Sequence, residues 1–97
     1  MARDELQFEW DEAKSNSNLK KHGVSFLTAA AIFLNETLQR VDDRGEYEEL
    51  RFIALGRVDL DVYRVIFTWR DANLIRIISA QKAGRDEREI YFRETFS

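Results

Sequence analysis

The 97-residue sequence has no cysteine, no proline, a single histidine and only four glycines. Without cysteine there is no disulfide framework, no thiolate zinc site and no thiol nucleophile, a composition suited to a reducing compartment. With His22 as the lone imidazole, a zinc site of the usual histidine and cysteine composition is also excluded. The longest uninterrupted apolar run, Ala29 to Leu34, is too short for a membrane span, and Met1-Ala2-Arg3-Asp4-Glu5 leads into no apolar signal segment. A cytoplasmic protein without a membrane partner is therefore expected. There is no phosphate-cradling glycine loop, no His-Glu-x-x-His pair and no nucleophile elbow, and no cofactor is expected.

What is present is a mixed, charge-rich globular composition, 44% hydrophobic and 34% charged. A chain of this size can bury about 60–65% of its unfolded surface, enough for one core, and residues 1–97 read as a single domain. The net charge of −3 is unevenly spread. Residues 31–61 carry 4 basic and 8 acidic side chains, whereas residues 62–97 carry 7 and 5. A local cationic surface can thus hold a phosphate backbone even though the whole chain is acidic.

Periodicity sketches the elements. Leu6, Phe8 and Trp10 alternate with polar residues, the period of a short strand. Asp11 is placed to cap a helix running to about His22, with Gly23 supplying its left-handed end. That helix is mostly polar, with Ala13 and Leu19 as its expected apolar anchors. Ser25 caps a second helix whose Phe26, Ala29, Ala30, Phe33 and Leu34 form one stripe. Strands are expected at Leu38–Val41, an edge, then at Leu50–Leu55, Val62–Trp69 and Leu74–Ala80, joined by turns over Gly56–Asp61 and Arg70–Asn73. A last helix from Gly84 or Arg85 points Ile90 and Tyr91 inward.

Two basic groupings stand out. Lys20, Lys21 and His22 end the polar helix, with Lys14 on the same face as Lys21, an arrangement that also complements the helix dipole. Arg70, Arg76, Lys82, Arg85 and Arg88 form the second, the last three equally suited to an ordinary solvated surface. Arg76 is set among Leu74, Ile78 and Ala80 and needs an anionic partner if buried, either Glu48 or Glu49 or a phosphate. Most aromatics sit at core spacing; Trp69, at a hairpin end, is the one suited to stacking on a base.

The ordered blocks Phe8-Glu9-Trp10-Asp11, Asn18 to Phe26 with its Lys-Lys-His-Gly, Ala29 to Phe33, and Ile75 to Ala83 with its Arg-Ile-Ile-Ser-Ala resemble the BrnT family of type II toxins. Arg51-Phe52 before Gly56, and Glu87-Arg88 with Tyr91, extend the resemblance over about residues 8–91. It implies an α+β, RelE-like fold: an antiparallel sheet of about four to five strands packed by two N-terminal helices and one C-terminal helix. It also implies a ribonuclease that arrests translation and is neutralised by a BrnA-type antitoxin, a ribbon-helix-helix protein whose dimer joins two toxins in a heterotetramer. Operator DNA would be bound only through the antitoxin.

On that reading a metal-independent endoribonuclease needs a base for the 2′-hydroxyl, cations for the phosphorane and an acid for the leaving 5′-oxygen. His22 and Glu49 are the alternative bases, and Arg70, Arg76 and Lys82 supply charge. Lys14, Lys20, Lys21, Arg85 and Arg88 would bind RNA. The sequence departs from the family pattern at Gln81, where a basic residue is common, and at Glu12, Leu50 and Trp69. With the acidic middle, Gln81 motivates a second expectation: a noncatalytic antitoxin-binding co-repressor of its own operon.

Overall fold

A computed structural model describes residues 5–96. In chain order it contains β1 (Gln7–Glu9), α1 (Glu12–His22), α2 (Phe26–Ala31), a 3-10 turn (Ile32–Leu34), β2 (Leu38–Val41), β3 (Phe52–Val58), β4 (Asp61–Asp71), β5 (Leu74–Lys82) and α3 (Arg85–Thr95). The five strands form one sheet in the order β1-β5-β4-β3-β2. The α+β class and the two-plus-one helix arrangement are as expected. Four strands are antiparallel, but β1 joins β5 in parallel, so the sheet is mixed.

The expected caps form. The Asp11 carboxylate accepts from the Lys14 N–H, the Ser25 hydroxyl accepts from the Thr28 N–H, and Gly23 takes φ 73° at the end of α1. Of the expected stripe Phe26, Ala29 and Ala30 are buried and Phe33 packs against the core, and the tightening of the chain into the 3-10 turn brings Ile32 in as well. That tightening leaves Leu34 87% exposed, against the expected stripe. Gly56 sits beneath this turn: a Cβ there would lie 2.7 Å from the Ile32 Cβ, so the strand accepts the turn only without a side chain.

Ala54, Val65, Phe67, Ile75 and Ile77 meet Phe26 and Ile32 in one apolar core. Alternation along β3 sends Ile53 and Leu55 to the opposite face, beside Glu87 and Ile90 of α3. Tyr91 is fully buried and its hydroxyl donates to the Glu36 carbonyl at 2.6 Å; Ile90, expected inside, remains 40% exposed.

α1 is held differently from its expected mode. Ala13 and Leu19 are exposed, whereas Ser15 and Asn18 are buried. β1 covers β5 only from Leu74 to Arg76. Beyond it, the Asn18 amide donates to the Ala80 carbonyl at 2.7 Å and accepts from the Ala80 N–H at 3.3 Å, taking the place of a missing strand. The same amide donates to the Val24 carbonyl, and the Ser15 hydroxyl accepts from the Phe26 N–H. Buried backbone groups are thus satisfied by neutral side chains, which explains a helix that is polar on its inner face.

The β3–β4 turn shrinks to Asp59-Leu60, with Asp59 at φ 55°, instead of the six residues expected. Pairing of β4 with β5 slips twice: Ile66 and Phe67 face Ser79 and Ile77, skipping Ile78, and Trp69 and Asp71 face Ile75 and Leu74, skipping Arg70. Such bulges bend a strand and re-aim its side chains.

Candidate active site

Both bulged residues, Arg70 and Ile78, line one cavity of about 160 Å³. Around it the fold gathers Lys14 from the first turn of α1, Arg51 and Glu49 from the loop before β3, and Arg76 from β5. Thr68 closes the wall; its hydroxyl donates to the Leu50 carbonyl at 2.6 Å and ties the loop to β4. At the loop's other end the Asp42 N–H donates to the Arg51 carbonyl at 2.8 Å. Asp42 is itself buried and receives the guanidinium of Arg44 on both oxygens, at 2.7 and 2.9 Å. That bidentate pair holds the Asp42 carboxyl down at about 2, against burial, which pushes the other way.

The ion pairs within the site are half exposed. Arg76 donates to Glu9 at 2.7 Å, not to Glu48 or Glu49 as expected, because the parallel register of β1 sets Glu9 opposite Arg76. Arg51 donates to Glu49, and this contact holds the Glu49 carboxyl below the usual carboxylate range, helped by the charge of Arg70. Among the described residues Arg70 makes no ion pair within 4.0 Å. The cavity therefore presents four cations and two carboxylates, Glu49 and the α1 cap Asp11, at a mouth that solvent reaches, an arrangement suited to a phosphodiester.

The remaining sequence-predicted residues lie elsewhere. His22 is exposed with Lys20 and Lys21 at the far end of α1, about 12 Å along the helix from Lys14. Lys82 ends β5, about 20 Å along the strand from Arg76, and stands 3.9 Å from Asp61. Arg85 is paired with Glu89 on its own helix, and Arg88 donates to the Leu60 carbonyl and stacks over Phe92. Gln81 faces Arg64 across the β4–β5 ladder, outside the cavity. The fold thus unites Lys14, Glu49, Arg70 and Arg76, and leaves the other candidates on separate surfaces.

Sequence reasoning passed over Arg51 as a charge at the site and Glu9 as the partner of Arg76. Arg51 falls inside the expected strand Leu50–Leu55, whereas β3 begins only at Phe52 and leaves Arg51 to the loop; Glu9 depends on a parallel pairing with a strand 67 positions away.

The comparisons give this α+β fold its class, the ribonuclease toxins of type II toxin–antitoxin systems. Residues 10–87 match the family described as "Ribonuclease toxin, BrnT, of type II toxin-antitoxin system", and the chain belongs to that family. The 1.1 Å crystal structure of the Brucella abortus ribonuclease toxin, BrnT, is similar to this chain at a TM-score of 0.62 and 27% identity, covering 82% of this chain and 99% of that one. Among curated proteins none matches.

Proposed function

We propose that the protein is an endoribonuclease toxin whose catalytic centre is the Arg51–Arg70–Arg76 cavity. The observation that carries this reading is a pair of carboxylates, Glu49 and the helix-capping Asp11, set among three guanidiniums and Lys14 at a solvent-reached mouth. RNA brings its own nucleophile. The 2′-hydroxyl attacks the adjacent phosphorus, its proton passes to a base, and the P–O5′ bond breaks to leave a 2′,3′-cyclic phosphate and a 5′-hydroxyl.

Glu49 is the base favoured by position, since His22 stands outside the cavity and Asp11, inside it, already accepts from the Lys14 N–H as the cap of α1. A phosphate oxygen arriving on Arg51 competes with Glu49 for the guanidinium and so frees the carboxylate when substrate is present. Arg70 and Arg76 offset the charge that builds on the phosphorane. Arginine does not give up its proton, so among the lining cations Lys14 is the group able to protonate the leaving 5′-oxygen. His22, Lys20, Lys21 and Lys82, with Arg85 and Arg88 on α3, are assigned to phosphates farther along the RNA, where charge matters more than position.

The reaction so written uses side chains alone, in the cytoplasm. Family membership supports neutralisation by an antitoxin, for which we propose a BrnA-type ribbon-helix-helix dimer carrying two toxins and the operator-binding surface. No helix among the described residues is long and apolar enough to cross a membrane. Purified protein is expected to cleave RNA in excess chelator, leaving cyclic-phosphate and 5′-hydroxyl ends. Intact RNA in the presence of correctly folded protein, with operator binding still strengthened in the antitoxin complex, would leave the co-repressor role instead.

A further inference from the structure

The acidic loop between β2 and β3 looks ill-placed beside a phosphate site: Asp42, Asp43, Glu46, Glu48 and Glu49 stand within eight residues, against one Arg44. Its geometry gives the charge a use. A second cleft, of about 320 Å³, lies against the loop and shares Glu49 and Arg51 with the catalytic cavity. Tyr47 forms part of its wall. The Arg51 guanidinium carbon stands 4.1 Å from the Tyr47 ring centroid, so a single arginine touches both the phosphate cavity and the aromatic ring. Tyr47 is 38% exposed, and the stacked arginine occupies one face of its ring. Three features keep it in place: the Asp42–Arg44 pair, the Asp42 to Arg51 backbone bond, and Gly45, where an added Cβ would stand 3.2 Å from the Tyr47 Cζ and Oη.

We propose that this cleft is a nucleobase subsite, in which Tyr47 stacks the base of a nucleotide whose phosphate lies on Arg51. The inference rests on the ribonuclease reading of the adjoining cavity. A base is neutral, so the loop's carboxylates do not repel it, and stacking on an aromatic ring tolerates any base. Selection comes from the remaining wall. Among the described residues Asp43 and Glu48 make no ion pair within 4.0 Å, and their carboxyl oxygens offer hydrogen-bond acceptors along the wall. They favour bases that present an amino group, so cytosine is preferred to uracil, a pyrimidine of similar size that offers a carbonyl at the same position.

The test uses 2′-O-methyl hexacytidylate and hexauridylate, which bind without being cleaved, at low salt with fluorescence anisotropy as the readout. Wild-type protein should bind the cytidine oligomer more tightly than the uridine one. Tyr47→Ala and Tyr47→Leu should each lower affinity for the cytidine oligomer by about tenfold, while Tyr47→Phe keeps it. Asp43→Asn with Glu48→Gln should shrink the preference for cytidine while leaving tight binding in place. If Tyr47→Ala and Tyr47→Leu bind as wild type does while Arg76→Ala loses affinity, the subsite is overturned and the cavity reading stands. If wild-type protein binds neither oligomer and cleaves no RNA, both readings fall. Unchanged oligomer binding together with lost neutralisation by the antitoxin would make the cleft a protein-docking surface and also overturn the proposal.

Discussion

β5 carries two kinds of polar chemistry within five residues. At Ala80 its outward N–H and C=O meet the buried neutral amide of Asn18. At Arg76 a guanidinium pairs with Glu9, and both side chains remain about one-third exposed. The first arrangement leaves no polar atom wanting and no room for a ligand. The second keeps charges where water and ligands reach them, so an incoming phosphate can exchange with a carboxylate at small cost. Stability and function are thus written into one strand, separated by the bulge at Ile78.

That contrast breaks most visibly if the cationic end proves structural. Arg76→Ala and Glu49→Gln are each expected to lower the rate of RNA cleavage by about a hundredfold or more. The melting temperature should hardly change, because the pairs they remove are half exposed. A domain that unfolds on Arg76→Ala would move this residue to the structural side.

The other end should respond in the opposite sense. Asn18→Ala strips three hydrogen bonds and leaves buried groups of Ala80 and Val24 unpaired, an expected loss of about 2–3 kcal/mol seen as a lower thermal or denaturant midpoint. Gly56→Ala, pressed against Ile32, should cost about 1–3 kcal/mol by the same measurement. Cleavage by the residual folded protein should be preserved in both.

Acid sharpens the comparison further. A carboxyl whose pKa falls on folding adds stability that is complete above its unfolded value and is lost as pH drops through its folded value. For Asp42 that window runs from 3.8 down to about 2, so loop 42–51 should loosen there, as followed by amide hydrogen exchange. Glu49 is shifted in the same direction from 4.5, and the acid limb of the pH–rate profile is expected below that value. The smallest effect is expected at Lys82→Ala, whose 3.9 Å contact with Asp61 is well exposed: stability within about 0.5 kcal/mol and cleavage within a few-fold. A hundredfold loss there would return Lys82 to the catalytic group.

Much of this was legible in the chain because it is local. Asp11, Gly23 and Ser25 mark helix ends through bonds that span three or four residues, and alternation along β3 to β5 identifies strands. The errors share a cause. Hydrophobicity marks Leu19 and Ala13 as anchors of α1, but the helix lies along an uncovered strand edge, where hydrogen-bonding side chains are what is needed. α-Helical spacing puts Leu34 in the apolar stripe, and the chain there turns at three residues per turn. At the site, Lys14, Glu49, Arg70 and Arg76 stand out in the sequence as charges, yet their grouping apart from His22 and Lys82 is not readable there, since like-looking basic residues occur at both ends of α1 and β5.

The sequence by itself determined the element types, the caps, the absence of thiol chemistry, and the family, whose motif blocks span most of the chain. Only the tertiary structure decided that β1 runs parallel to β5 and hands Glu9 to Arg76, that two bulges turn Arg70 and Ile78 toward one cavity, and that the acidic loop folds against it. The reason is range: caps and periodicity act over a few residues, whereas register and cavity formation depend on partners up to 67 positions apart, chosen by which backbone edges and apolar faces the whole chain can cover at once.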